Sequence, residues 1–271
     1  MRFTVLGASG FIGSHVAAHL RARGAECYMP GRDEPLADAG HLGHVLFCIG
    51  VTADFRRRPL DAVRAHVCRL LDVLEGGRFE SLLYLSSSRV YAGADSGSED
   101  ATFRVSPRSL SDVYNLSKLT GEAACFATDR PTVRVARLSN VYGGNWDSEN
   151  FLMAVIRQAV DAGRVVLQTD WESAKDYVGI HEVEPLLCDI AERGQARLYN
   201  VASGVRVSNR NLGDALRRVT GCDLTVATGA PHVVFPPIDT SRVKEEFGFR
   251  PASVLDAVDD LVADYRLKRK A

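Results

Sequence analysis

Lysine is scarce in this 271-residue chain, five against 28 arginines, and the 33 basic residues are matched by 34 acidic ones for a formal net charge of −1. That balance supplies no broad positive field, which excludes a protein that coats nucleic acid or an anionic membrane, and any anionic ligand must be held by local groups. Long apolar runs are lacking too, since no stretch approaches the ~20 residues of a membrane span. The start, MRFTVLGASG, has neither the basic-then-apolar layout nor the cleavage site of a secretory signal, so a cytoplasmic location is expected. Cys27, Cys48, Cys68, Cys125, Cys188 and Cys222 show no Cys-x-x-Cys and no paired spacing. They read as reduced core thiols, not as a disulfide framework. His15 and His19, four apart, have no third ligand beside them in the sequence, and no metal is expected. His181, in GIHEV, reads as a helix-start residue.

With 46% hydrophobic residues the chain is long enough for a full core, as one large domain or a domain with a smaller lobe. Apolar runs bounded by turn residues alternate with helical patterns: FTVLG, a helix from Phe11, ECYM, HVLFCI, a helix over 59–75, then SLLYLS. This is the rhythm of an α/β fold with a doubly wound parallel sheet. A further helix is expected over 111–128, followed by strand TVRVARL and, near residue 200, RLYNVAS, for about six strands. After Val141 the texture changes. The division expected is a dinucleotide-binding part over 1–141, completed by about 176–203, with a small interleaved lobe from 142–175 and 204–271.

VLGASGFIGSHVAAHL carries the first chemistry. Gly7 permits a tight turn, Gly10 lets backbone approach a pyrophosphate, Gly13 lets helix pack on strand, and the helix-start N–H groups around Ser9, Phe11 and Ile12 face the anion. The second strand ends CYMPGRDEP, with Arg32 where a 2′-phosphate would lie. NADP is therefore favoured over NAD, the alternative being that Asp33 or Glu34 holds a ribose. Only the eleven residues 33–43 separate this point from HVLFCIG. A parallel crossover needs about a dozen residues, so a strand and helix are shortened or missing here.

YLSSSRVY places hydroxyls at a strand's carboxyl end, with Ser87 the candidate for binding a carbonyl. YNLSK sets Tyr114 and Lys118 four apart, on one face of the next helix. A phenol of reference pKa ~10 is a poor acid or base at neutral pH, but a lysine cation nearby favours its phenolate.

GASGFIG, SSSRVY, YNLSK, RLSNVYGG, AKDYVGIHEV, YNVASG and IDTSRVKEEFGFRPA, in this order, resemble the extended branch of the short-chain dehydrogenase/reductase superfamily, the NAD-dependent epimerase/dehydratase family of nucleotide-sugar-modifying enzymes. The resemblance implies that Ser87, Tyr114 and Lys118 are catalytic and that Tyr114 exchanges a proton with the sugar oxygen. It also implies that Lys118 holds the nicotinamide ribose and that Ile49 and Gly50 join the cofactor site. Ser88, Asn140 and Lys175 would touch substrate, with Lys175 standing where the family commonly has a phosphate-binding arginine. Dimers through the 59–75 and 111–128 helices are a family habit, so a homodimer is expected.

Dehydratases of this family carry an acidic pair directly after the catalytic hydroxyl, where this chain has Ser88 and Arg89. Dehydration is thereby disfavoured. Arg32 and the small lobe favour an NADPH-dependent ketoreductase acting on a nucleotide-activated keto-deoxysugar. The alternatives are a nucleotide-sugar epimerase with tightly bound NAD and, from a different class, a non-catalytic NADP-binding sensor or scaffold.

Overall fold

Phe3, Val5 and Leu6 leave strand β1 (Arg2–Leu6) apolar on both faces, the mark of a strand buried inside a parallel sheet. The computed structural model, which describes residues 1–32, 34–36, 39–51 and 55–270, places β1 between β2 (Glu26–Tyr28) and β3 (His44–Phe47). Beyond β3 come β4 (Ser81–Ser87), β5 (Val133–Leu138) and β9 (Leu198–Val201), and all six strands pair in parallel. The chain winds outward from β1 to β2, then returns to the other side of β1 for β3. A crevice therefore opens at the carboxyl ends of β1 and β3, where ligands bind in open α/β sheets. Among the described residues between β2 and β3, only an isolated bridge from His41 to Arg78 extends the sheet. Among the described residues there, no further strand or α-helix forms.

Helix α1 (Phe11–Ala22) follows β1 and turns Val16, Ala17 and Leu20 into the core. It packs on α6 (Ile180–Arg193), whose Val183, Leu187 and Ile190 share that core. The expected helix over 59–75 forms, but in three parts: α2 (Pro59–Val63), a π-helical turn (Arg64–Cys68) and α3 (Arg69–Gly76). The wider turn brings His66 inward, fully buried. Helix α4 (Leu110–Ala127) packs against β4 and β5, and Gly121 makes this possible, because a Cβ there would stand 2.4 Å from the Tyr84 hydroxyl.

A second core gathers around Trp146, Ile156, Leu212 and Val258. It is built by β6 (Asn140–Tyr142), α5 (Phe151–Ala162), β7 (Arg164–Leu167), β8 (Ala174–Gly179), β10 (Arg206–Ser208), α7 (Asn209–Thr220), β11 (Asp223–Val226) and α9 (Val254–Lys268). These strands form two small sheets, β10-β8-β6 and β11-β7. One segment of the expected lobe sits elsewhere. Helix α8 (Ser241–Phe247) packs on β9, with Val243 in the large sheet's core, so the 204–271 segment is shared between the two cores. Strand β8 likewise crosses the expected boundary at 175 and 176. Among the described residues no helix is long and apolar enough to cross a membrane.

Candidate active site

The glycine loop connects β1 to α1 through a turn only glycine tolerates well, with Gly7 at φ 84° and the Gly10 N–H donating to the Gly7 carbonyl at 3.0 Å. A Cβ on Gly13 would stand 2.2 Å from that same carbonyl oxygen, so any other residue would push α1 off the strand. Gly10 caps α1 without a side-chain hydrogen bond. The amides of the first turn at Phe11 and Ile12 are thus available to an anion. Ser9, Gly10, Phe11, Ser14 and His15 line one wall of an open groove, and Gly144 and Asn145, from the loop after β6, line the other. The cradle fits a dinucleotide diphosphate.

At the end of β2 the Glu34 carboxylate accepts from the Tyr28 hydroxyl and from the Gly31 N–H at 2.8 Å, which holds its carboxyl below the usual carboxylate range. Glu34 is thereby spent on closing the turn. Arg32 stands exposed beside it with no salt bridge among the described residues. Asp33, the other candidate for a ribose, lies outside the described residues.

Ser87 ends β4, and its Oγ accepts from the Arg89 N–H at 3.2 Å as a 3₁₀ turn (Ser88–Tyr91) begins. Tyr114 and Lys118, one turn apart on α4, are both buried. Burial pushes the Tyr114 phenol up, and the Ser87 hydroxyl and the Arg89 guanidinium bring it partly back. Arg89 is therefore a cation bearing on the phenol, a part the sequence assigned to Lys118 alone. Lys118 Nζ donates to the Leu85 carbonyl at 2.8 Å. Burial lowers this ammonium to about 7, against the pull of Glu122, which Arg137 holds in a buried ion pair at 2.7 Å.

His66 is the residue the sequence reading missed here. Its Nδ1 lies 2.8 Å from Ser117 Oγ, its Nε2 accepts from the Val51 N–H at 3.3 Å, and its ring stands edge-on to Tyr114 with centroids 5.2 Å apart. Burial and the nearby Lys118 drive its pKa down to about 2, so it stays neutral. A histidine inside the apolar stripe of Val63, Val67 and Leu70 was the available signal. Gly50 lies over this pair, since a Cβ there would be 3.4 Å from His66 Nε2 and 3.7 Å from Lys118 Nζ. Ile49 packs in the adjoining core, and the Cβ that Gly7 lacks would stand 2.9 Å from its N–H.

Toward the lobe, cations converge. Lys175, on β8, is lowered to about 8, first by burial and then by Arg89 and Arg56, and its ammonium sits 4.1 Å from the Phe151 ring centroid. Arg89 and Arg56 both stack on Phe55, which packs against Tyr114. Arg89 Nε is buried without a hydrogen-bond partner among the described residues. A cluster of this sign with an orphaned donor is arranged for an anion. Phe151 also lines a cleft with Asn140, Tyr142 and Tyr177. The Asn140 amide donates to the Asp176 carbonyl at 2.8 Å and braces β6 against β8. Ser88 is buried at the start of the 3₁₀ turn.

Residues 41–202 match the NAD dependent epimerase/dehydratase family. The chain belongs to this family. Its match begins beyond the glycine loop, so loop and family are independent indications. Among curated relatives, a dTDP-glucose 4,6-dehydratase of Streptomyces griseus is 29% identical over 89% of this chain and 75% of its own length. A dTDP-4-dehydro-6-deoxy-D-allose reductase of a Streptomyces species is 25% identical over 98% of this chain and 96% of its own. Among solved structures, MoeE5 in complex with UDP-glucose and NAD superposes with a TM-score of 0.82 at 23% identity, covering 99% of this chain and all of that one. RMD from Pseudomonas aeruginosa complexed with NADPH gives 0.76 at 22%, over 99% of this chain and 100% of that one. At these identities the structural likenesses establish the Rossmann-type fold.

Proposed function

We propose that the protein is an NADPH-dependent ketoreductase of a nucleotide-activated keto-deoxysugar. The observation that carries this reading is the company kept by Tyr114. Among the described residues, the charged side chains bearing on the phenol, on Arg89 beside it and on Lys175 are two cations, Arg89 and Arg56, and a single carboxylate, Asp112. Asp112 lies on α4 and accepts from the Ser106 N–H, at the solvent side. Dehydration requires an acid and a base beside the ketone in addition to the phenol, and Ser88 and Arg89 supply neither. The reading thus parts from the 29% identical dehydratase and sides with the 25% identical reductase.

The glycine loop and the first turn of α1 would hold the cofactor diphosphate, Ile49 and Gly50 would border it, and Lys118 would reach a ribose hydroxyl. Bound there, the nicotinamide would supply the hydride. Ser87 donates a hydrogen bond to the substrate carbonyl and orients it, while Tyr114 donates the proton that the reduced oxygen needs. Arg89 and Lys175, joined by Arg56, bind the anionic part of the substrate, with Asn140 and Ser88 beside them. Arg32 takes the 2′-phosphate, because Glu34 is already engaged. The division into a dinucleotide-binding part and a substrate lobe follows the two cores, with α8 assigned to the former.

Leu60, Val63 and Leu71 on the first long helix and Leu110 and Phe126 on α4 are exposed apolar residues, and they support a homodimer through these helices. The deciding experiment mixes purified protein with NADPH or NADH and a dTDP-4-keto-6-deoxyhexose and follows the absorbance of the reduced nicotinamide. Oxidation with NADPH preferred is expected. Protein that carries NAD through purification and interconverts nucleotide sugars without net oxidation would replace this reading with epimerisation, and failure to turn over any such sugar while binding NADP would favour a sensor.

A further inference from the structure

Three histidines surround one carboxylate where α1 meets α6, away from Tyr114 and Lys118. Helix α1 supplies His15 and His19, four apart, and α6 supplies His181 and Glu184, three apart, and both spacings put two donors on one helical face. His15 Nδ1 lies 3.4 Å from Glu184 Oε2, and His181 Nδ1 lies 3.6 Å from Oε1. His19 Nδ1 is 3.9 Å from Oε1. All three separations exceed the ~2.7–3.2 Å of an N–H···O hydrogen bond. The His15 and His181 separations match a different geometry: an ion with tetrahedral bonds of ~2.0–2.2 Å spaces its ligand atoms roughly 3.3–3.6 Å apart.

The rings agree. The His15 and His181 centroids are 5.5 Å apart with planes at 68°, and two imidazoles bound to one tetrahedral ion through ~2.0 Å bonds would be about 5 Å apart. Glu184 Oε2 is buried and has no hydrogen-bond partner among the described residues, a costly state for a carboxylate oxygen that a bound cation would relieve. The Glu184 side chain is only 14% exposed whereas His181 is 80% exposed, so the carboxylate forms a floor and the imidazole an open entrance. The carboxylate oxygen and the nitrogens of His15 and His181 lie within 4.8 Å of one another.

We propose that His15, His181 and Glu184 bind a divalent transition-metal ion, zinc by the nature of the donors, which clamps α1 to α6. Imidazole and carboxylate in a tetrahedral set suit zinc, and chelation across two packed helices ties together elements otherwise held by apolar contact and by the Arg23–Glu192 ion pair. The clamp is structural. It fixes the helix whose first turn walls the anion groove, a wall that includes His15 itself. The proposal is independent of the substrate and of the reaction assigned above.

The test uses untagged, metal-stripped protein titrated with Zn²⁺ alone by calorimetry, followed by Co²⁺ as a spectroscopic probe. One equivalent should bind with micromolar or tighter affinity, raise the Tm, and with Co²⁺ give the intense visible bands of a tetrahedral nitrogen and oxygen site. His181→Ala, an exposed position whose replacement leaves the fold intact, should weaken binding at least tenfold and abolish the Tm rise. Glu184→Gln should do the same. Absence of binding at 100-fold the expected constant, binding unchanged in His181→Ala, or a thiolate-to-cobalt charge-transfer band pointing to cysteine would overturn the site. In that event the cluster is a set of ion pairs formed only when the histidines are protonated.

Discussion

At the sheet end of the site Lys118 is lowered to about 7 by burial, while Glu122 and the Leu85 carbonyl hold its ammonium. At the lobe end Lys175 is lowered to about 8 by burial, and its charged neighbours Arg89 and Arg56 push in the same direction. Two of the five lysines are thus perturbed alike for unlike reasons. Lys118 sits in a preorganised network that continues through Glu122 to Arg137 and is complete without a ligand. Lys175 sits among cations and, among the described residues, forms no ion pair. On the proposed function, the difference separates a centre that does chemistry from one that receives a substrate, and it accords with their supports, a helix and two sheet strands in one case and turns and a small sheet in the other.

The sharpest way to break this contrast is at the sheet end. Tyr114→Phe keeps the ring packing against Phe55 and His66 and removes only the hydroxyl proposed as the proton donor. A loss of about 10³-fold in kcat is expected, the middle of the range for a general acid, with cofactor affinity by fluorescence titration within twofold of the parent. Equal losses in both would make Tyr114 a binding residue. At the lobe end the expected signature is the reverse. Lys175→Met should raise KM for the nucleotide sugar about 10- to 100-fold, the worth of one charge-assisted contact to an anion, with kcat changed by less than threefold in steady-state assays. Smaller still is the effect at the edge of the sheet. Arg32→Ser should reduce the preference for NADPH over NADH in kcat/KM about tenfold, and an unchanged ratio would remove Arg32 from the phosphate.

The contrast also explains which features were legible in the sequence. Gly7, Gly10 and Gly13, and likewise Tyr114 and Lys118, are brought together by spacings of three or four residues fixed by one turn or one helix. Each was readable because local geometry alone puts those atoms together. The short crossover after β2 was readable as chain length. The cation cluster joins Arg56, Arg89 and Lys175 from three separate segments, and the histidine cluster joins helices 160 residues apart in the chain. No periodicity encodes such meetings, which follow from how α6 crosses α1 and how β8 docks beside β6. The position of α8 was hidden for a related reason, since the burial of Val243 marks an inner face without saying which core receives it. The π turn at His66 departs from a helical pattern by one extra residue, too little to disturb the apolar stripe around it.

The smallest effect concerns stability, and its sign follows from the same neighbours. The folded-state pKa of Lys175, about 8, lies below the ~10.4 of a lysine in an unfolded chain. Below pH 8 both states are charged and the folded one bears the desolvation and the repulsion from Arg89 and Arg56 in full. Between pH 8 and about 10.4 the folded state gives up a proton that the unfolded state keeps, so stability rises with pH. Lys175→Met removes that cost. The variant should be more stable than the parent by about 1 kcal/mol at pH 7, a value reduced for partial solvent screening, and the gap should close as urea denaturation is repeated between pH 8 and pH 10. A parent that loses stability on the same substitution would mean that Lys175 already has an internal partner, and the lobe end would then be as self-sufficient as the sheet end.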